Sequence, residues 1–80
     1  MKKRVKRTYY RDDDFLLKIG EQIRELRLKR NLTQMELAFM CNDKDYSQIN
    51  RLELGKVNFS VSYLSLIAKA LDVTPKDLLP

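Results

Sequence analysis

The apolar positions of the chain fall into five short helical runs. The first eleven residues, MKKRVKRTYYR, show no apolar period and are expected to form a mobile arm. Phe15, Ile19, Ile23 and Leu26 then recur at helical spacing and predict a first helix reaching about Arg30. Asp12, Asp13 and Asp14 stand at its start, where carboxylates face outward-pointing N–H groups. Gly20 lies inside this run; a glycine there costs about 1 kcal/mol against alanine, so close backbone packing is expected at it. Asn31-Leu32 ends the run. Thr33 and Glu36 make a capping box, which starts a second helix at Gln34 with Leu37, Ala38 and Cys41 facing inward. After the polar break Asn42-Asp43-Lys44-Asp45, a third helix is expected from Tyr46 to Leu54. Asp45 is its cap, Ile49 and Leu52 its inner face, and Gly55 its C′ residue. Ser60 caps a fourth helix with the stripe Val61, Leu64, Ile67, Ala68 and Leu71. Thr74-Pro75 opens a last short helix, with proline at its first position and Asp77 near its third. No segment reads as a strand. The expected architecture is an all-α, compact five-helix bundle over residues 12–80, behind a basic arm at residues 1–11.

Eighty residues hold one domain at most, and a core this small is often supplemented by self-association. With 44% hydrophobic and 34% charged residues the composition is that of a globular chain, and no apolar run approaches the roughly 20 residues of a membrane span. Charged residues stand where a signal peptide would need its apolar region, so a cytoplasmic location is expected. The net charge of +5 is unevenly placed. Residues 1–11 hold six basic and no acidic side chains, whereas residues 12–80 hold ten basic and eleven acidic ones. A basic arm on a near-neutral body suggests a polyanionic partner; a solubilising tail without a target is the plainer alternative.

The candidate chemistry is sparse. There is no histidine base and no glycine-rich phosphate loop, and a single cysteine forms no internal disulfide and no familiar zinc set. Asp12–Asp14 reads as a capping cluster rather than a metal site, and Cys41, on an inner face, as a small core residue. No cofactor is expected, and an enzyme is the least supported class. The tight break between helices two and three is more informative. Two short helices joined so closely cross steeply, and the second projects from the body. Its outer side carries Tyr46, Ser47, Asn50 and Arg51, which suits a DNA major groove: arginine bonds guanine, asparagine bonds adenine, serine and tyrosine serve bases or phosphates. A solvated polar face is the competing reading, and polarity alone does not decide between them.

The order Leu32-Thr33-Gln34, Glu36-Leu37-Ala38, Ile49, Leu52-Glu53-x-Gly55-Lys56, with Ile23 to Arg27 before it and Ile67 to Val73 after it, resembles the Cro/repressor-type, XRE-like helix-turn-helix family. The resemblance covers about residues 15–79. It implies a lambda-repressor-like five-helix domain that binds double-stranded operator DNA, usually as a homodimer. Carried over position by position, it implies base contacts from Tyr46, Ser47 and Arg51, with Gln48 and Asn50 flanking them. Backbone contacts are implied from Thr33, Gln34, Lys44, Lys56 and Asn58, and a structural salt bridge from Arg27 and Glu53. Three departures stand out. Asn42 replaces the usual turn glycine, but asparagine tolerates the left-handed conformation. The segment from Asn42 to Ile49 is one residue longer than usual, which is expected either to lengthen the turn or to start helix three earlier, and leaves the base-contact numbering open by one position. Phe59 replaces a common proline and is expected to pack under its loop or face a partner.

The resulting expectation is a sequence-specific transcriptional regulator, a repressor if its operator overlaps a promoter. Two alternatives stay open: an antitoxin with a toxin partner, and a restriction–modification controller protein. For the dimer surface the candidates are Leu78 and Leu79 and the Tyr9-Tyr10 region, with core packing the preferred reading of Leu78.

Overall fold

The computed structural model describes residues 10–80, so the arm expected at residues 1–11 lies, apart from Tyr10 and Arg11, outside the described residues. Four α-helices and one 3-10 turn follow in order: α1 Asp13–Lys29, α2 Gln34–Met40, α3 Ser47–Glu53, α4 Val61–Ala70, and the 3-10 turn Pro75–Leu78. Among the described residues there is no strand, and no helix is long and apolar enough to cross a membrane. The expected fifth helix is thus a single 3-10 turn: Asp77 accepts from the backbone N–H of Thr74 at 2.9 Å, and only four residues remain before the cap at Leu79.

Side-chain caps start three of the α-helices. Asp12 accepts from Phe15 N–H at 3.0 Å and Ser60 from Tyr63 N–H at 3.0 Å. Thr33 and Glu36 close the reciprocal capping box at 3.0 and 2.8 Å. All four α-helices end alike. The residue after the cap takes positive φ: Asn31 at 57°, Asn42 at 64°, Gly55 at 71° and Asp72 at 58°. The next residue then donates back five positions, Leu32 to Arg27, Asp43 to Ala38, Lys56 to Arg51 and Val73 to Ala68, each at 2.9–3.1 Å. These are Schellman ends, which satisfy carbonyls that a helix would otherwise leave open. Only one uses glycine, and the reason is space. A Cβ on Gly55 would lie 2.7 Å from Leu17 Cα, whereas Asn31, Asn42 and Asp72 are exposed.

The core is continuous and drawn from every element. Ile23, Leu37, Ile49, Leu52, Ile67, Leu71 and Leu78 are fully buried, each worth about 1.5–3 kcal/mol of transfer free energy. Leu78 is therefore core, as preferred from the sequence, while Leu79 remains 43% exposed. Phe59 packs partly buried against the core. Two stripe assignments change. On α1 the buried line is Leu16, Ile19, Gly20, Ile23 and Arg27, with Phe15 exposed and Leu26 half-buried. The helix is turned by about one residue so that Gly20 meets α3, where a Cβ would stand 2.2 Å from Leu52 O. On α4, Val61 at the first position is exposed, and the buried residues of the helix are Leu64, Ile67 and Ala68. α3 packs on α1 and α2, and α4 packs on α2 and the 3-10 turn.

Candidate nucleic-acid interface

α3 is a short helix with two unlike faces. Ile49, Leu52 and Glu53 point inward. Ser47 and Arg51, four positions apart and therefore on one side, are exposed. Gln48 and Asn50 flank them and are half-buried. Leu54, seven positions after Ser47, extends the same outer stripe with 50% of its surface exposed. That spacing is visible in the sequence, yet the residue reads there only as the helix end. Tyr46, 48% exposed, occupies the N-cap position and makes no side-chain cap bond. The helix is therefore one residue shorter at each end than the spacing predicts. Asp45, expected as its cap, instead accepts from Ser47 N–H at 2.8 Å. Ser47, through its N–H and then its hydroxyl, holds the Asp45 carboxyl below the ordinary range, with Arg51 adding a smaller pull.

The turn between α2 and α3 is built without glycine. Asn42 takes the left-handed conformation at the Schellman end of α2, and Asp43 follows half-buried. Its carboxylate accepts a hydrogen bond from the hydroxyl of Tyr63 on α4, across twenty positions of sequence. Burial first, then that bond and the adjacent charge, push the Tyr63 phenol well above its usual value. Cys41, buried below the same turn, has its thiol pushed up to about 11, by desolvation and then by Asp43. It is a neutral core thiol, as its inward spacing suggested.

Behind α3 lies a buried polar network. Arg27 Nε and Nη2 donate to the two Glu53 oxygens at 2.6 and 3.0 Å, and Arg27 Nη1 donates to Leu32 O at 2.7 Å. Arg27 is 6% and Glu53 4% exposed. The pair fixes α1 to the C-terminal end of α3. Gln34, first residue of α2, joins it: its Nε2 donates to Glu53 Oε1 at 3.0 Å and lies 3.4 Å from Asn50 Oδ1. Gln34 and Asn50 thus have side-chain bonds inside the domain, which the sequence reading did not include. Among the described residues no buried side-chain polar atom lacks a partner, as a buried ion pair requires.

The remaining candidates lie around this unit. Thr33 is exposed and engaged in the capping box; Lys44 is exposed in the turn; Lys56 and Asn58 are exposed in the loop after α3. Asn58 Nδ2 lies 3.5 Å from Tyr10 O, so the start of the described chain runs beside that loop. Among the described residues no group of three His, Cys, Asp or Glu side chains could hold a metal ion. Two apolar surfaces complete the picture. One is a cleft on α2 lined by Leu32, Met35, Phe39 and Met40. The other is a groove where Phe15, Phe59, Val61, Leu64, Pro75 and Leu79 meet.

Comparison with known proteins agrees with this geometry. A helix-turn-helix family model, HTH_3, matches residues 23–78. The chain is 44% identical over 64 residues to the control protein C.BamHI of Bacillus amyloliquefaciens, covering 79% of this chain and 78% of that protein. The crystal structure of the restriction–modification controller protein C.AhdI from Aeromonas hydrophila is similar with a TM-score of 0.76 and 38% identity, over 80% of this chain and 96% of that one. A hypothetical transcription factor, NHTF, from Neisseria matches with a TM-score of 0.76 and 25% identity over 98% of this chain and 90% of that one. With α2 and α3 as its two helices, the chain belongs to the HTH_3 helix-turn-helix family and is a DNA-binding regulator of transcription.

Proposed function

We propose that the protein binds a near-palindromic operator as a homodimer, with α3 in the major groove, and acts as the controller of a restriction–modification system. The observation that carries the DNA-reading part is the outer stripe of α3, with Ser47 and Arg51 exposed and the opposite side locked to α1 by the Arg27–Glu53 pair. A helix held at a fixed angle brings the same side chains to the same base edges at each encounter. Tyr46, Ser47 and Arg51 are the base-reading residues, with Gln48 and Asn50 at the margins. Thr33, Gln34, Lys44, Lys56 and Asn58 meet the phosphates, and the basic residues 1–11 add counterion release. The apolar groove around Phe15, Val61 and Leu79 is lined by no residue of α2 or α3 and is the surface assigned to the second copy. In such a dimer the two helices enter successive major grooves about 34 Å apart. Repression follows where the operator overlaps a promoter, in the cytoplasm. The controller assignment is favoured by C.BamHI and C.AhdI. A toxin-binding role has no comparable support.

Selection of random duplexes by the purified protein, followed by sequencing, tests this reading. A two-fold symmetric motif with half-sites one helical turn apart is expected. On that duplex Arg51→Ala should cost about 1–3 kcal/mol, and deletion of residues 2–11 should flatten the slope of log affinity against log salt. Salt-sensitive binding with no enriched motif would return the outer side of α3 to a solvated surface.

A further inference from the structure

The four residues Asn42–Asp45 between α2 and α3 carry no apolar side chain, yet the turn they form sets where α3 begins. Its backbone is shaped by the left-handed Asn42 and by the bond from Asp43 N–H to Ala38 O at 2.9 Å. Those interactions tie the turn to α2 alone. Asp45 ties it forward to Ser47. Among the described residues, one side-chain hydrogen bond reaches the turn from outside α2, α3 and the turn itself: the Tyr63 hydroxyl donating to the Asp43 carboxylate. Tyr63 packs its ring partly buried against the core of α4, so the hydroxyl is delivered from a fixed base. The C-terminal end of α3 is anchored independently, through Leu52, Glu53 and the close approach of Gly20. Its N-terminal end, which carries Tyr46 and Ser47, has Ile49 beneath it and the turn before it.

Resting on the DNA-reading role assigned to α3, we propose that Asp43 and Tyr63 are positioning residues for the recognition helix. Their hydrogen bond fixes the turn against α4 and so sets the register at which Tyr46 and Ser47 meet the bases. Neither residue needs to touch DNA. Asp43 supplies a carboxylate where the bond can reach from α4, and the sequence spacing of twenty residues gives no local hint of the pairing. A charge-assisted hydrogen bond is stronger than a neutral one, which suits a contact that must hold a polar turn in place.

The test compares wild type, Tyr63→Phe, Asp43→Ala and Asp43→Asn on the duplex selected by the wild-type protein and on a scrambled duplex of equal length. Tyr63→Phe keeps the ring in the core and removes only the hydroxyl. The expected result is roughly tenfold weaker binding of the selected duplex by Tyr63→Phe and by Asp43→Ala, with unchanged binding of the scrambled duplex and an unchanged salt slope. Asp43→Asn retains an acceptor oxygen and should recover most of the loss. Amide exchange of the free protein gives a second readout. The amides of Ser47–Asn50 should exchange several-fold faster in Tyr63→Phe, while those of Arg51–Lys56 keep their rates. Unchanged preference for the selected duplex together with unchanged exchange would overturn the proposal, as would equal losses on both duplexes. If the wild-type protein itself selects no motif, the DNA-reading role falls, and unaltered Ser47–Asn50 exchange in Tyr63→Phe would separately refute the clamp.

Discussion

At its C-terminal end α3 is held by groups that have left water. Glu53 is bonded to Arg27 and Gln34, Leu52 lies in the core, and Gly55 turns the chain against Leu17 with no room for a side chain. At its N-terminal end the same helix is held by groups that remain near water: Asn42 in an exposed left-handed turn, Asp45 accepting from Ser47 N–H, and half-buried Asp43 bonded to Tyr63. The two ends follow different energetics. Removing one partner of a desolvated ion pair strands a charge, whereas removing an exposed cap lets water substitute. A reading helix built this way has one rigid end, and its other end is adjustable by small polar changes in the turn. Base contacts come from the N-terminal residues of a recognition helix, so on the proposed function the adjustable end is the one that would read.

Breaking the dry end should show the largest effect. Glu53→Ala leaves Arg27 buried without its partner and should cost about 3–5 kcal/mol of unfolding free energy, measured by denaturant titration. A loss below about 1 kcal/mol would mean that water or Gln34 compensates Arg27, and the contrast between the ends would disappear. Exchanging the two turn residues sharpens the comparison at an intermediate scale. Gly55→Asn places a Cβ against Leu17 Cα and should destabilise by about 2 kcal/mol or more. Asn42→Gly relieves a left-handed asparagine on an open surface and should change stability by less than about 1 kcal/mol. Equal effects would show that backbone conformation, rather than space, governs both positions. The smallest effect belongs to the wet end under acid. The Asp45 carboxyl titrates below its unfolded value of 3.8, so its contribution is present above that pH and is lost as pH falls through the lower folded value. Carbon-detected NMR should therefore give Asp45 a midpoint below 3.8, and the Ser47 amide should shift over the same acidic range. A midpoint at or above the ordinary value would show that the Asp45 carboxylate does not hold the Ser47 amide.

Much of this was legible from local pattern. The caps at Thr33 and Ser60 and the glycine at position 55 depend on interactions within one helical turn, which the residue types themselves dictate, while the left-handed role of Asn42 followed from the family resemblance. The inner faces of α2 and α3 followed from spacing, although α2 also carries Met35, Phe39 and Met40 on its exposed side. The outer stripe at Ser47 and Arg51 followed from the same spacing. The choice of Phe15 over Leu16 as a core residue did not survive, since adjacent apolar residues make the helical phase ambiguous and only the approach of α3 at Gly20 resolves it.

What the amino-acid order determined by itself, then, is where helices start and stop and which family of domains they build, because caps, turns and apolar periods are short-range. What only the tertiary structure decided is how α3 is held beyond the Arg27–Glu53 pair, which the family resemblance already implied. The Gln34 bond to Glu53 and the Tyr63 bond to Asp43 join residues nineteen and twenty positions apart. Such pairs leave no periodic trace in a sequence, for they exist only once packing has brought separate helices within hydrogen-bond reach.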